Sequence, residues 1–449
     1  MIAGDPRSEF DRDFGRSVFS TPVRRLQDKA QVFPLEEHDA IRTRLTHSLE
    51  VSSVARSLGE AAERIAKKRG GLDDSLIGSI PTIAATCGLI HDLGNPPFGH
   101  AGELAIGEWF RKQHEANPAI FAPFDPRDGK RTALDSQYAL DFLRFEGNAQ
   151  TQRLLSRLQV LADDYGLNLT CGTLSASCKY VATSDSIDKA DQAKKKHGFF
   201  ASEADLISRI RAEVGTENAR NPIAFLVEAS DDIVYSTVDL EDGIKKRCIG
   251  WESLEDQLRK QCGSALLDRS LLKAHEKIDP AALSGQMRDE AMAVAFRTFA
   301  IAEMVAATIH TFEVEYDNIM AGKYPYEILY KSDAGSLADT CKKIALEHVY
   351  VSHEVLKREI MGRGILFDLL DIYWEAAEAF EPGKTLKGFH KKIYNQISGN
   401  YRRIFEGNMT RQGEPTIPLQ YFRMQLITDQ ISGMTDSFAV KLHRELKNG

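Results

Sequence analysis

Apolar residues recur at helical spacing along most of the chain, and strict alternation is rare. THSLEVSSVARSLGEAAERIAKKRGG (46–71) carries Leu49, Val54 and Leu58 close to the helical repeat and stops at Gly70 and Gly71, a pair suited to a helix end. AGELAIGEWFRKQHEAN (101–117) repeats the pattern, and 135–166 holds two further helices around Gly147. PIAFLVEASDDIVYSTVDLEDGIKK (222–246) begins at Pro222, whose fixed φ suits a first helical residue. VYVSHEVLKREIMGRGILFDLLDIYWEAAEAF (349–380) predicts another helix, and KYVAT (179–183) and HTFEVEY (310–316) read as short strands. Loops are predicted at 118–131, where Pro118, Pro123, Pro126 and Gly129 cluster, and at 262–290. No internal repeat and no low-complexity tract interrupts the series. The pattern predicts an all-α protein, with a core over 1–265 and a helical C-terminal region over 266–449 packed on it.

Composition narrows the class. The 449 residues are 43% hydrophobic and 27% charged, enough apolar material for one large core or several smaller ones. No run of 18 apolar residues occurs, so no membrane span is expected. MIAGDPRSEFDRDFGRS is charged from Asp5 onward and lacks the apolar stretch of a signal peptide. The net charge of -8 excludes a polycation built for nucleic acid. The six cysteines show no CxxC spacing, and Cys171 and Cys178 fit no zinc pattern. Reduced, mostly buried thiols of a cytoplasmic protein are expected.

Candidate chemistry concentrates in CGLIHDLGNPPFGHAGEL (87–104). TIAATCGLI is a buried helix that delivers His91 and Asp92 at its end. Neighbours in mid-helix point apart, but at a helix end both can aim at one point. Pro96 and Pro97 enforce that end. A new helix begins near His100, placing His100 and Glu103 at i, i+3 on one face, with free N–H groups suited to an anion. A histidine and an aspartate leave a divalent ion short of ligands. His47 upstream and Asp231 or Asp232 downstream are candidates to complete the set. Each has an ordinary structural reading when taken singly, and His100 could simply cap its helix. Tyr235 and Asp239 share a helical stripe with either aspartate, so spacing does not choose between Asp231 and Asp232.

The order His … His-Asp … Asp on helices resembles the HD-domain phosphohydrolases. The words FSTPVRRLQDKAQVFPLEEHDAIRTRLTHSLEVS, GLIHDLGNPPFGHAGE, FEGNAQTQR, GLNLTCGTL, EASDDIVYSTVDLED and DQISGMTD resemble the deoxynucleoside triphosphate triphosphohydrolases, the dGTPase-like family, from Phe19 to Asp436. The resemblance implies an all-α HD fold, one divalent metal per chain and hydrolysis of dGTP or several dNTPs to deoxynucleoside and tripolyphosphate. It also implies a homo-oligomer, a hexamer. Some relatives respond to a regulatory nucleotide or to single-stranded DNA.

Carried over by position, the metal ligands are His47, His91, Asp92 and Asp231. The donor set is compatible with Mn, Mg, Ni, Co, Fe or Zn. His100 is the expected general acid and Glu103 its partner. Arg44, Lys179, Tyr180 and Lys196 are expected at the phosphates. Gln31 and Val32 are expected at sugar and base, Tyr235 and Asp239 at the sugar, and Arg423 in the base pocket supplied by the C-terminal region. Two rival classes remain: another HD enzyme, such as a phosphodiesterase or guanosine polyphosphate hydrolase, and a non-catalytic nucleotide sensor or DNA-binding protein on the same fold. Release of tripolyphosphate separates the first. Retention of His100 and Glu103, together with the acidic charge, speaks against the second.

Overall fold

The computed structural model describes residues 5–125, 132–159, 165–279, 282–408 and 417–447. Parts of the predicted loops at 118–131 and 262–290, and of the predicted helices at 135–166, fall outside them. The described chain is helical, as the apolar spacing predicts. Its only bridges are isolated, Ala30 with Thr43 and Ala182 with His197, and no strand occurs among the described residues.

The helices that build the site are α1 (Arg44–Lys68), α2 (Ser79–Ile90), α3 (Gly99–Ala116), α4 (Pro222–Lys245), α5 (Gly285–Val314), α6 (Gly335–His348), α7 (His353–Glu378), α8 (Leu419–Ser432) and α9 (Asp436–Lys447). Thr43 caps α1 in a reciprocal box with Thr46, which satisfies two of the free N–H groups of its first turn. α1 and α2 approach closely because position 88 is glycine: a Cβ there would lie 2.8 Å from the Ser52 Cα. Ser52 Oγ also donates to the Ala85 carbonyl at 2.7 Å. This approach brings the start of α1 beside the end of α2.

Two apolar clusters hold the helices. One joins Leu89, Trp109 and Phe110 to Leu366, Leu370 and Tyr373 of α7 and Tyr421 of α8. The other joins Leu58, Ile233 and Leu240 to Phe296 and Met304 of α5 and Leu337 and Ile344 of α6. Each therefore combines early and late segments of the chain.

Three local expectations differ. HTFEVEY is no strand, because His310–Val314 is the last turn of α5 and Tyr316 opens the helix Tyr316–Met320. Packing of Phe312 and Tyr316 into the second cluster outweighs the strand preference of β-branched and aromatic residues. KYVAT contributes only the Ala182 bridge. The predicted 262–290 loop contains the helix Ala265–Lys277, capped by Ser264 and burying Leu267, Leu271 and Ala274. Gly263 and Ser264 are its boundary rather than a loop. α5 also carries an 18-residue window of mean hydropathy 1.6, long and apolar enough to cross a membrane by length and composition. Arg297 and Glu303 interrupt it, and Met292, Phe296, Ala300, Met304 and Phe312 are buried in the second cluster, so one face of α5 packs inside the fold.

Candidate metal and phosphate site

His47 stands in the first turn of α1, His91 and Asp92 directly follow α2, and Asp231 lies in the middle of α4. One ligand atom each from His47, His91 and Asp231 lie within 4.8 Å of one another. His47 Nε2 is 3.1 Å from Asp231 Oδ1, and His91 Nε2 is 3.5 Å from the same oxygen. His91 Nδ1 lies 2.8 Å from the Gly88 carbonyl; donation there leaves the Nε2 lone pair facing the cluster.

Asp92 Oδ2 is 3.5 Å from His91 Nε2, but its carboxylate is held by the Arg44 guanidinium and by Asn95 Nδ2 at 2.7 Å. It therefore stands at the edge of the trio. Asp231 and Asp232, inseparable by spacing, part in space. Asp231 faces both imidazoles, whereas Asp232 is buried with Oδ2 unpartnered, and burial pushes its carboxyl up to about 8.

The trio and Asp92 make a field that favours positive charge. Burial opposes ionisation of Asp231, yet His91 and His47 hold it well below the usual carboxylate range. Burial also opposes a charge on His91, yet Asp92 and Asp231 carry the ring up to about 9. Two imidazoles and carboxylates in such a field suit a divalent cation.

Cationic groups adjoin the cluster. Lys179 Nζ is 3.7 Å from Asp231 Oδ2 and 3.8 Å from Glu228 Oε1, and its ammonium lies 6.0 Å from the centre of the buried Tyr180 ring. Lys196 pairs with Glu146 at 2.7 Å. The restart of α3 is tight: Phe98 and Gly99 have φ of +63° and +57°, and a Cβ at Gly99 would lie 2.6 Å from Arg44 Nη2. His100 is 80% exposed, with Nδ1 2.7 Å from Glu103 Oε2. Glu103 Oε1 accepts from the Gly147 N–H at 2.7 Å, so the carboxylate is anchored from behind. The Glu103 hydrogen bond and charge raise His100 above its ordinary 6.5.

Tyr235 of α4 and Tyr330 of the helix Ile328–Lys331 have hydroxyls 3.0 Å apart, and the Lys342 ammonium sits 5.5 Å and 5.7 Å from the two ring centres. Asp239 accepts from the Tyr350 hydroxyl at 2.5 Å, and burial pushes its carboxyl up to about 7. Gln31 Oε1 is buried without a partner, and Val32 packs on the second apolar cluster. Arg423 stands apart from this network: its hydrogen bonds go to the Phe380 carbonyl and Gln420 Oε1. Sequence reasoning missed Asn95, Tyr330, Lys342 and Tyr350. Asn95 lies inside the quoted HD stretch and was within reach, whereas the other three come to the site from distant segments without a local signal.

The fold and the cluster define an HD-class phosphohydrolase, and residues 44–127 match the HD domain family. Two relatives, from Listeria monocytogenes and Listeria innocua, are deoxyguanosinetriphosphate triphosphohydrolase-like proteins. Each is 35% identical, with the similarity covering 98% of this chain and 94% of the relative. The chain belongs to the deoxyguanosinetriphosphate triphosphohydrolase-like family.

Proposed function

We propose that this protein hydrolyses deoxynucleoside triphosphates to deoxynucleoside and tripolyphosphate. The observation that carries the reading is the His47–His91–Asp231 trio with Lys179 at Asp231 and Arg44 at the adjoining Asp92, in a chain similar over its length to deoxyguanosinetriphosphate triphosphohydrolase-like proteins.

In this reading His47, His91, Asp92 and Asp231 hold one divalent ion. When bound, it would supply Lewis-acid polarisation of a phosphate oxygen. Arg44 offers its planar fork to phosphate, a geometry lysine lacks, while Lys179, Tyr180 and Lys196 line the phosphates. Water adds at the α-phosphorus, the bond to the 5′-oxygen breaks, and tripolyphosphate carries the new oxygen. The departing 5′-oxygen takes a proton from His100, kept protonated and oriented by Glu103. Gln31 and Val32 face sugar and base, while Arg423, bonded to the Phe380 carbonyl and Gln420, takes no part in this reading. The same reading makes the protein a cytoplasmic homo-oligomer, a hexamer by resemblance.

Tyr235 and Asp239 contact the deoxyribose, and a 2′-hydroxyl collides with the Tyr235 ring. With Mn²⁺, each of the four dNTPs is assayed against its ribonucleotide. Wild type favours the deoxy forms, and Tyr235→Ala lowers that preference by roughly 10- to 100-fold. Equal turnover of GTP and dGTP by wild type contradicts the sugar assignment.

The pH dependence has a definite sign. Glu103 raises the His100 pKa, so the acid form persists to higher pH, and kcat falls only as pH rises through that elevated value. Glu103→Gln moves this alkaline limb to lower pH. An unmoved limb excludes Glu103 as the group that sets the His100 protonation state.

A further inference from the structure

The turn that separates Asp92 from His100 is held by two charged residues far from it in sequence. Asp436, 1% exposed at the start of α9, accepts the Phe98 N–H on Oδ1 and the Ala30 N–H on Oδ2, each at 3.0 Å. Lys29, 4% exposed, donates to the Asn95 carbonyl at 2.5 Å and to the Ser432 carbonyl at 2.8 Å. Arg25 donates to the Gly433 carbonyl at 2.8 Å, and Ser437 donates to Asp28 at 2.8 Å. One buried carboxylate thus spans the substrate-facing segment before Gln31 and the turn before His100.

The turn needs such a hold. Phe98 is a non-glycine residue with positive φ, a conformation that persists only where its surroundings over-determine it. Its ring is buried, and its N–H is spent on Asp436. Gly99 follows with positive φ and lies against Arg44, which grips Asp92. A shift of this turn displaces His100 and Arg44 together.

We propose that Lys29 and Asp436 are positioning residues that clamp the Asn95–Gly99 turn, and through it set His100 and Arg44 relative to the metal ligands and the Gln31–Val32 segment. The proposal rests on the reading of His100 and Arg44 as working groups. Neither clamp residue touches the trio, so their loss leaves metal binding intact.

The test uses the full chain with Asp436→Asn and Lys29→Met. Asparagine keeps the shape but accepts only one of the two N–H groups, and methionine keeps the length but donates to neither carbonyl. Both variants retain metal at the wild-type ratio. Their kcat/KM with a dNTP falls about 10²-fold, the cost of a misplacement near 1 Å. Amide hydrogen exchange accelerates over 93–100 and not over 47–60. Wild-type exchange at the turn in both variants overturns the clamp, as does acceleration spread over the whole chain or a kcat/KM loss that tracks metal loss. If Asp436→Asn does not fold, Lys29→Met decides. If wild type cleaves no dNTP, the exchange measurement still judges the clamp, and the proposed function alone fails.

Discussion

His91→Ala and Asp231→Ala each lose the divalent ion and turnover together. Asp231 Oδ1 is the atom both imidazoles face, at 3.1 Å and 3.5 Å, so its removal leaves the trio without its anion. His91 supplies a lone pair oriented by the Gly88 carbonyl. A Lewis acid contributes several kcal/mol to such a step, so turnover falls by about 10³-fold or more. Asp232→Asn, at the adjacent position, retains the ion because Asp232 contributes no ligand atom to the trio. Metal content by elemental analysis, measured beside turnover after chelation and reloading, decides. Full activity of His91→Ala after exhaustive chelation contradicts the ligand set.

His100→Ala keeps metal and substrate binding while kcat falls by roughly 10²–10⁴, the range for a lost general acid. Glu103 acts through His100, bonding Nδ1 with one oxygen while the Gly147 N–H holds the other. Removing Glu103 after His100 therefore costs little more, since residues that act as a unit are strongly non-additive. A double-mutant cycle on kcat, with metal content checked in each variant, measures this. Multiplicative losses assign Glu103 a separate role in placing the attacking water. Near-normal kcat in His100→Ala removes the general acid from the account.

The HD stretch was legible because its chemistry is local. Two prolines, a His-Asp pair and an i, i+3 His-Glu pair declare a helix break and restart, and α2 does end before His91 while α3 restarts at Gly99. The choice between Asp231 and Asp232 was not legible in the residues, since both share the stripe of Tyr235 and Asp239. It depends on how α4 is rotated against α1 and α2, a matter of packing. The helix Ala265–Lys277 was hidden because Gly263 and Ser264 read equally as loop or as cap. Lys29 and Asp436 lie within the words of the resemblance, but their joint role was hidden, because their partners Asn95, Ser432, Phe98 and Ala30 are brought to them only by the tertiary fold.

The most direct test of the central claim is the fate of the α-phosphorus bond. A dNTP is turned over with Mn²⁺ in water enriched in heavy oxygen, and the products are resolved by phosphorus NMR and mass spectrometry. The account predicts one tripolyphosphate per deoxynucleoside, with the heavy oxygen on the tripolyphosphate. Nucleoside monophosphate with pyrophosphate, stepwise release of orthophosphate, or label in the deoxynucleoside contradicts it.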